Sequence, residues 1–248
     1  MTNDAEQAEP AQRVLWITGG GSGMGAAAAR TAAGSGWTVV LSGRRADRLE
    51  AVAADVRSAG GTADVLPLDA ADPDAVPAAA AAIADRYGRL DGLVLAAGLN
   101  APRRRWDDQS MPDFRAIVDT NLTAVVAVVD AALPALRASG GVVVVVSSYA
   151  GWSFQSGAGV AYSASKTALG SVVRSLNQQE AAHGIRATHL CPGDVATDFL
   201  DQRPEVPDAA ARAVMLTPED IGRTIGFVLD APAHVRVDEL VISPVAQR

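Results

Sequence analysis

The chain of 248 residues has little cysteine, little aromatic character and no excess of positive charge. Its single cysteine, Cys191, excludes an internal disulfide and fits a cytoplasmic setting. Its three histidines, His183, His189 and His234, lack the spacing of metal ligands, so no metal is assigned. Aromatics are 4%, so a large core must be built from small aliphatic side chains. Lys and Arg number 21 against 28 Asp and Glu, a net charge of −7. That balance argues against a nucleic-acid partner or an anionic membrane surface, both of which select a basic face. Apolar runs such as Val142–Val146 fall far short of the roughly 20 residues of a membrane span. The opening residues, "MTNDAEQAEPAQ", have neither the basic start nor the apolar stretch of a secretory signal. Residues 1–11 read as a disordered tail. With no internal linker, repeat or low-complexity block, residues 12–248 read as a single domain.

What the chain does have is alternation. Short β-branched runs take turns with alanine-rich stretches of helical length. Strands are predicted at Val14–Thr18, Trp37–Ser42, Ala63–Leu68, Gly92–Ala96, Val142–Ser147, Arg186–Cys191 and Glu239–Ile242. Helices are predicted near 24–33, 46–59, 74–87, 112–138, 162–183 and 218–229. Continuous apolar strands are buried on both faces, as in a parallel sheet covered by helices. Strands separated by helices imply right-handed crossovers. The expected fold is α/β: a Rossmann-type doubly wound parallel sheet of about seven strands with helices on both faces. The Pro- and Asp-rich stretch Asp201–Asp208 reads as a mobile surface loop.

Two local patterns carry chemistry. The stretch "WITGGGSGMG", Trp16–Gly25, puts five glycines between the first strand and the first helix. Glycine is entropically costly in ordered structure, so its concentration there implies a close backbone approach to a large anion. The helix start adds free N–H groups and a positive dipole end, which suit a pyrophosphate. The second pattern is Tyr162-Ser-Ala-Ser-Lys166. On a helix, residues i and i+4 share a face, so the Lys166 ammonium is expected near the Tyr162 phenol. A neighbouring cation favours phenolate and lowers the tyrosine pKa, which would equip Tyr162 as a general acid/base.

In order along the chain stand Thr18-Gly19-x-x-x-Gly23-x-Gly25, Asn121, Ser148, Tyr162-x-x-x-Lys166 and Cys191-Pro192-Gly193. Together they resemble the short-chain dehydrogenase/reductase family, over about Arg13 to Pro244. The resemblance implies hydride transfer between a nicotinamide and a carbonyl or alcohol. It gives Tyr162 the proton, Ser148 a hydrogen bond to the substrate oxygen, and Lys166 the nicotinamide ribose. Asn121 would support a water chain to Lys166. The cofactor would lie along Gly19, Gly21, Ser22, Gly23, Met24 and Gly25, then Ser42, Arg44, Arg45 and Asp69, then Ala97 and Gly98. It would end at Tyr162, Lys166, Pro192, Gly193, Val195 and Thr197. Ser148, rather than Ser147, fits the family's S-x-x-G context through Gly151. Resemblance also implies a homo-oligomer, tetramer or dimer, built on the long helix around Asn121 and the helix of Tyr162.

The chain departs from the family after the fourth strand. Leu95-Ala96-Ala97-Gly98 replaces the usual Asn-Asn-Ala-Gly, which puts the local hydrogen bonding in doubt. After the second strand, Gly43 stands where NAD-preferring relatives carry a carboxylate, and Arg44 and Arg45 follow. Guanidinium groups attract a 2′-phosphate that a carboxylate would repel, so NADP(H) is favoured over NAD(H). Substrate signals are few. Trp152, Phe154, Phe199, Leu200 and Met215 are candidates for an apolar pocket wall. Arg103-Arg104-Arg105-Trp106 reads as a solvated surface or as a contact to an anionic substrate. The C-terminal stretch from Leu216 resembles a subgroup acting on 3-hydroxy acids with NADP. The competing function is a catalytically silent NADP-binding regulator; intact Asn121, Ser148, Tyr162 and Lys166 speak against it. A sugar-nucleotide epimerase would need a C-terminal substrate domain for which this chain has no room.

Overall fold

A computed structural model describes residues 12–247; the tail expected over residues 1–11 lies outside the described residues. Among the described residues, seven strands form one parallel sheet. They are β1 (Val14–Thr18), β2 (Thr38–Ser42), β3 (Thr62–Val65), β4 (Gly92–Leu95), β5 (Val142–Val146), β6 (Arg186–Pro192) and β7 (Glu239–Ile242), in the order β3-β2-β1-β4-β5-β6-β7. Thr18 pairs with both Ser42 and Leu95, so three strands end level beside the glycine-rich loop. The strand order reverses between β1 and β4, which opens a crevice at the carboxyl ends.

Alternation along each strand feeds two cores. Leu15, Ile17 and Leu41 point to the face covered by α1 (Gly23–Gly34), α2 (Ala46–Ser58) and, from the end of the chain, Pro218–Leu229. Val14, Trp16 and Val143 point to the face covered by α3 (Ala75–Tyr87), Ala124–Ser139 and Val160–Gln179. Each fully buried Leu or Ile stabilises by roughly 2 kcal/mol, which spreads the driving force over many small contributions. Ala26, Ala28, Ala29 and Ala32 of α1 are buried almost completely, which keeps the helix tight on the sheet.

The predicted elements stand, with local corrections. The expected strand at Ala63–Leu68 ends at Val65, because Pro67 has no N–H; Leu66 and Leu68 still donate to Leu41 and Gly43. The helix expected near 112–138 is three pieces: α4 (Met111–Val118), a π turn at Asp119–Thr123, and α5 (Ala124–Ser139). This whole run, 111–139, is long and apolar enough to cross a membrane by length and composition, which the sequence reading overlooked. Its Val128, Val129 and Leu136 pack on the sheet. A short helix, α6 (Tyr149–Trp152), was not expected. Then α7 (Val160–Gln179) begins two residues before its expected start and yields to a 3-10 turn at Ala181–His183. The supposed mobile loop Asp201–Asp208 is tied down: Arg203 pairs with Asp194, and Arg212 with Asp201 and the Pro207 carbonyl. It connects a 3-10 turn, Asp198–Gln202, to α8 (Ala209–Arg212), after which α9 (Pro218–Leu229) starts behind a Thr217–Asp220 capping box.

Candidate active site

Two cavities meet at the carboxyl end of the sheet. The first, about 460 Å³, is lined by Gly19, Gly21, Ser22, Gly23 and Met24 of the β1–α1 loop. It continues past Ser42, Arg44, Arg45 and Asp69, and past Ala97, Gly98, Lys166 and Thr197. The second, about 550 Å³, holds Ser148, Pro192, Gly193 and Val195. Tyr162 lines both.

The glycine loop is shaped by contacts that no side chain could share. Gly19 has φ +70°, and a Cβ on it would fall 2.6 Å from the Ala97 nitrogen. Gly25 was expected to touch a cofactor, yet it lines neither cavity. It is buried, and a Cβ on it would sit 2.3 Å from the Gly19 carbonyl oxygen. Its part is to close the loop onto α1. The Ser22 side chain does not cap α1, and the first turn has no acidic residue. The helix start therefore keeps its N–H donors and dipole for an anion. Arg44 and Arg45 are exposed at the rim, and Arg45 donates to the Ser22 hydroxyl at 3.4 Å. Arg48 joins them on the wall. Sequence reasoning missed it, although it follows Arg44 and Arg45 closely, in the first turn of α2. Ser42 is a partial correction: its hydroxyl, inside the wall, accepts a hydrogen bond from the Trp16 indole at 2.9 Å.

Asn121 is fully buried in the π turn and lines neither cavity. Its amide accepts from Leu99 N–H at 2.7 Å and donates to Leu99 C=O at 2.9 Å and to the Ser165 hydroxyl at 3.3 Å. No direct bond reaches Lys166. This clasp also holds the loop after β4, where two expected amides are absent.

Lys166 is buried and donates to the Val146 carbonyl at 3.0 Å, with Nζ 5.8 Å from the Tyr162 ring centre. Ser147 donates to the Lys166 carbonyl at 3.0 Å, the structural part expected of it. Ser148 caps α6 through the Ala150 N–H, and its hydroxyl acts on the Tyr162 phenol across the second cavity. The electrostatics reverse one expectation. Burial pushes the Tyr162 phenol above its ordinary value, opposed by the Ser148 hydroxyl and the Arg203 and Arg104 charges. Lys166 is not the group that lowers it. Burial pulls Lys166 itself down to about 8.

Among the apolar candidates, Phe199 and Leu200 line the second cavity, but Trp152 and Phe154 stand exposed and, like Met215, line neither. His189, Cys191 and Glu239 cluster on β6 and β7. Glu239 lies 3.0 Å from His189 Nδ1, but the Cys191 sulfur is 3.4 and 3.6 Å from the two ring nitrogens, over the ring face. A metal on Nδ1 would leave a sulfur ligand roughly 5 Å from Nε2, so these donors do not converge on one ion. Burial pushes the Cys191 thiol up to about 12, which leaves it unreactive.

The model of the family described as short chain dehydrogenase matches residues 13–207. The chain belongs to the short-chain dehydrogenase family. It is 34% identical to a sulfoacetaldehyde reductase of Chromohalobacter salexigens over 94% of each chain. It is equally identical, with the same coverage, to a serine 3-dehydrogenase of Agrobacterium fabrum. An alcohol dehydrogenase from the archaeon Thermococcus sibiricus, solved with 5-hydroxy-NADP, superposes with a TM-score of 0.86 at 29% identity, over 95% of this chain and 98% of that one. This dehydrogenase is therefore an oxidoreductase acting on CH–OH and C=O groups; its matched relatives are named for reduction and dehydrogenation, and none favours the silent regulator.

Lys166 gives the first test. Below about pH 8 the folded protein carries a buried ammonium; between 8 and the ordinary 10.5, the unfolded chain keeps a proton that the folded one has shed. Stability from this group therefore rises with pH across that window. In denaturant unfolding beside Lys166→Met, the parent should gain on the variant from pH 8 to 10.5. A constant difference would contradict a buried, depressed ammonium.

Proposed function

We propose that the protein is an NADP(H)-dependent carbonyl reductase or alcohol dehydrogenase in which Tyr162 is the general acid/base. The observation that carries this reading is the place of Tyr162 at the wall common to both cavities, with Ser148 on one side and Lys166 on the other. Bound NADP(H) supplies or accepts the hydride. In reduction, Tyr162 donates its phenolic proton to the carbonyl oxygen, and Ser148 hydrogen-bonds that oxygen. A phenol is protonated at neutral pH, and burial moves Tyr162 further toward that form. In oxidation the same groups run in reverse, and Tyr162 takes the alcohol proton. Lys166 holds the cofactor ribose. The free start of α1 receives the pyrophosphate, and Gly19, Gly21, Ser22, Gly23 and Met24 admit it to the backbone. Arg44, Arg45 and Arg48 flank the 2′-phosphate. Asp69, Ala97 and Gly98 would border the adenosine, while Pro192, Gly193, Val195 and Thr197 would border the nicotinamide.

Replacing Tyr162 by Phe removes the only ionisable oxygen and keeps the ring. Turnover of a reduced carbonyl should fall by at least about 10²-fold, with NADPH affinity little changed. Retention of most of the turnover would remove Tyr162 from the acid role. For the cofactor, fluorescence titrations should give tighter binding of NADPH than NADH, and Arg44→Asp should invert the order. Equal affinities in the parent would defeat the charge argument.

A cytoplasmic homo-oligomer, tetramer or dimer, completes this reading. Met111 of α4, Val126 of α5 and Phe227 of α9 stand exposed, and β7 is an edge strand. The edge strand leaves unpaired backbone groups free to meet a second copy. Light scattering should give two or four times the chain mass of 25.4 kDa; the single-chain mass would refute assembly.

A further inference from the structure

The Arg-Arg-Arg run has split into different roles. Arg103 is exposed and faces Asp113 at 3.7 Å. Arg105 is exposed at the rim of the second cavity. Arg104 is 7% exposed and lines that cavity beside Tyr162 and Ser148. Its Nε donates to the Ala101 carbonyl at 2.7 Å, and Nη2 donates to the Gln202 carbonyl. These bonds fix the guanidinium without neutralising it. Among the described residues no carboxylate pairs with it, whereas Arg203 in the same cavity is paired with Asp194. A buried unpaired charge is expensive, and such groups are normally matched by an opposite charge. The cavity wall as a whole carries Arg104, Arg105 and Arg203 against Asp194 and Glu205.

The missing anion is not part of the cofactor. Arg104 is absent from the first cavity, where the glycine loop, the start of α1 and Arg44 gather the sites suited to phosphates. It is on the far side of Tyr162, where the proposed chemistry places the substrate. Arg104 is also held from behind. Gly159 has φ +93°, and a Cβ there would fall 2.6 Å from Arg104 Cβ and 3.0 Å from its Cγ and Cδ. The Val160 N–H donates to the Arg104 carbonyl at 3.2 Å.

We propose that Arg104 is the specificity-determining residue of the second cavity, reading a compact oxyanion, carboxylate or sulfonate, on a substrate whose carbonyl meets Tyr162 and Ser148. This rests on the oxidoreductase reading for the place of the carbonyl, and on geometry alone for the anion. Gly159 is a positioning residue that acts through the Arg104 stem.

The test pairs an anionic carbonyl with a neutral one of similar size: 4-oxobutanoate with butanal, and 2-oxoethanesulfonate with propanal. With NADPH, kcat/KM in the parent should favour at least one anionic member by tenfold or more. In Arg104→Gln that ratio should fall about 10- to 100-fold, the scale of a lost charge-assisted hydrogen bond, while Arg104→Lys keeps part of it. Gly159→Ala should lower the ratio and leave Arg104 charged. Which pair responds separates carboxylate from sulfonate. A parallel measurement needs no turnover: butanoate, ethanesulfonate and butanamide are titrated into the NADP+ complex by fluorescence. At least one anion should bind saturably, more tightly than the amide, and lose that advantage in Arg104→Gln. Equal efficiency of both members of each pair in the parent would overturn the proposal and leave the oxidoreductase reading intact. Anion binding without turnover of any carbonyl would sustain it and count against that reading. If neither anion binds better than butanamide, or if Arg104→Gln weakens NADPH instead, Arg104 does not read the substrate. If Arg104→Gln fails to fold, the parent comparisons and Arg104→Lys decide.

Discussion

The site depends on one approach of backbone to backbone. The chain leaves β1 at Gly19, turns against Ala97 at the end of β4, and returns at Gly25 onto the Gly19 carbonyl. Each contact leaves no space for a side chain. Together they bring the ends of two neighbouring strands and the start of α1 to one point, at the place where the strand order reverses. The first cavity is the space this leaves. Because Ser22 does not cap α1 and no acid occupies its first turn, the helix start keeps a positive potential. The cost of so many glycines is met by the sheet, whose central strands β1, β2, β4 and β5 are buried on both faces.

Desolvation sets the chemistry of the second half of the site. It moves Tyr162 up and Lys166 down, and in both cases it favours the uncharged form. The expected effect of Lys166 is not among the influences on the Tyr162 phenol; its ammonium lies 5.8 Å from the ring centre and donates to the Val146 carbonyl. The opposing influences come from Ser148, Arg203 and Arg104, groups on the second cavity. In the proposed reduction, Tyr162 would hold its proton until the carbonyl arrives, which this balance favours. Each pKa unit corresponds to about 1.4 kcal/mol, so modest changes in burial retune it.

Much of this was legible in the sequence. Apolar strands and alanine-rich helices announced the sheet, because their periods are set by burial. The Tyr162–Lys166 spacing put both residues on one face, and of the two adjacent serines Ser148 lines the second cavity while the Ser147 hydroxyl donates to the Lys166 carbonyl. Less local features were hidden. The π turn at Asn121 depends on a clasp with Leu99, 22 residues away. Arg203 pairs with Asp194 across a segment that read as a free loop. Trp152 and Phe154 looked like pocket walls from their position after Ser148, but α6 turns them outward. Arg104 sits among identical neighbours, and what distinguishes it comes from distant chain: the Gln202 carbonyl it donates to and Gly159, packed behind it from the start of α7.

In the proposed reaction a hydride crosses directly between a nicotinamide and a substrate carbon while Tyr162 handles the proton. Reduction of a carbonyl substrate with NADPH deuterated at C4, one face at a time, tests it most directly. One of the two labelled cofactors should deliver its deuterium to the carbinol carbon of the product, with solvent supplying only the hydroxyl proton. Product carrying solvent hydrogen at that carbon with both labelled cofactors would contradict it.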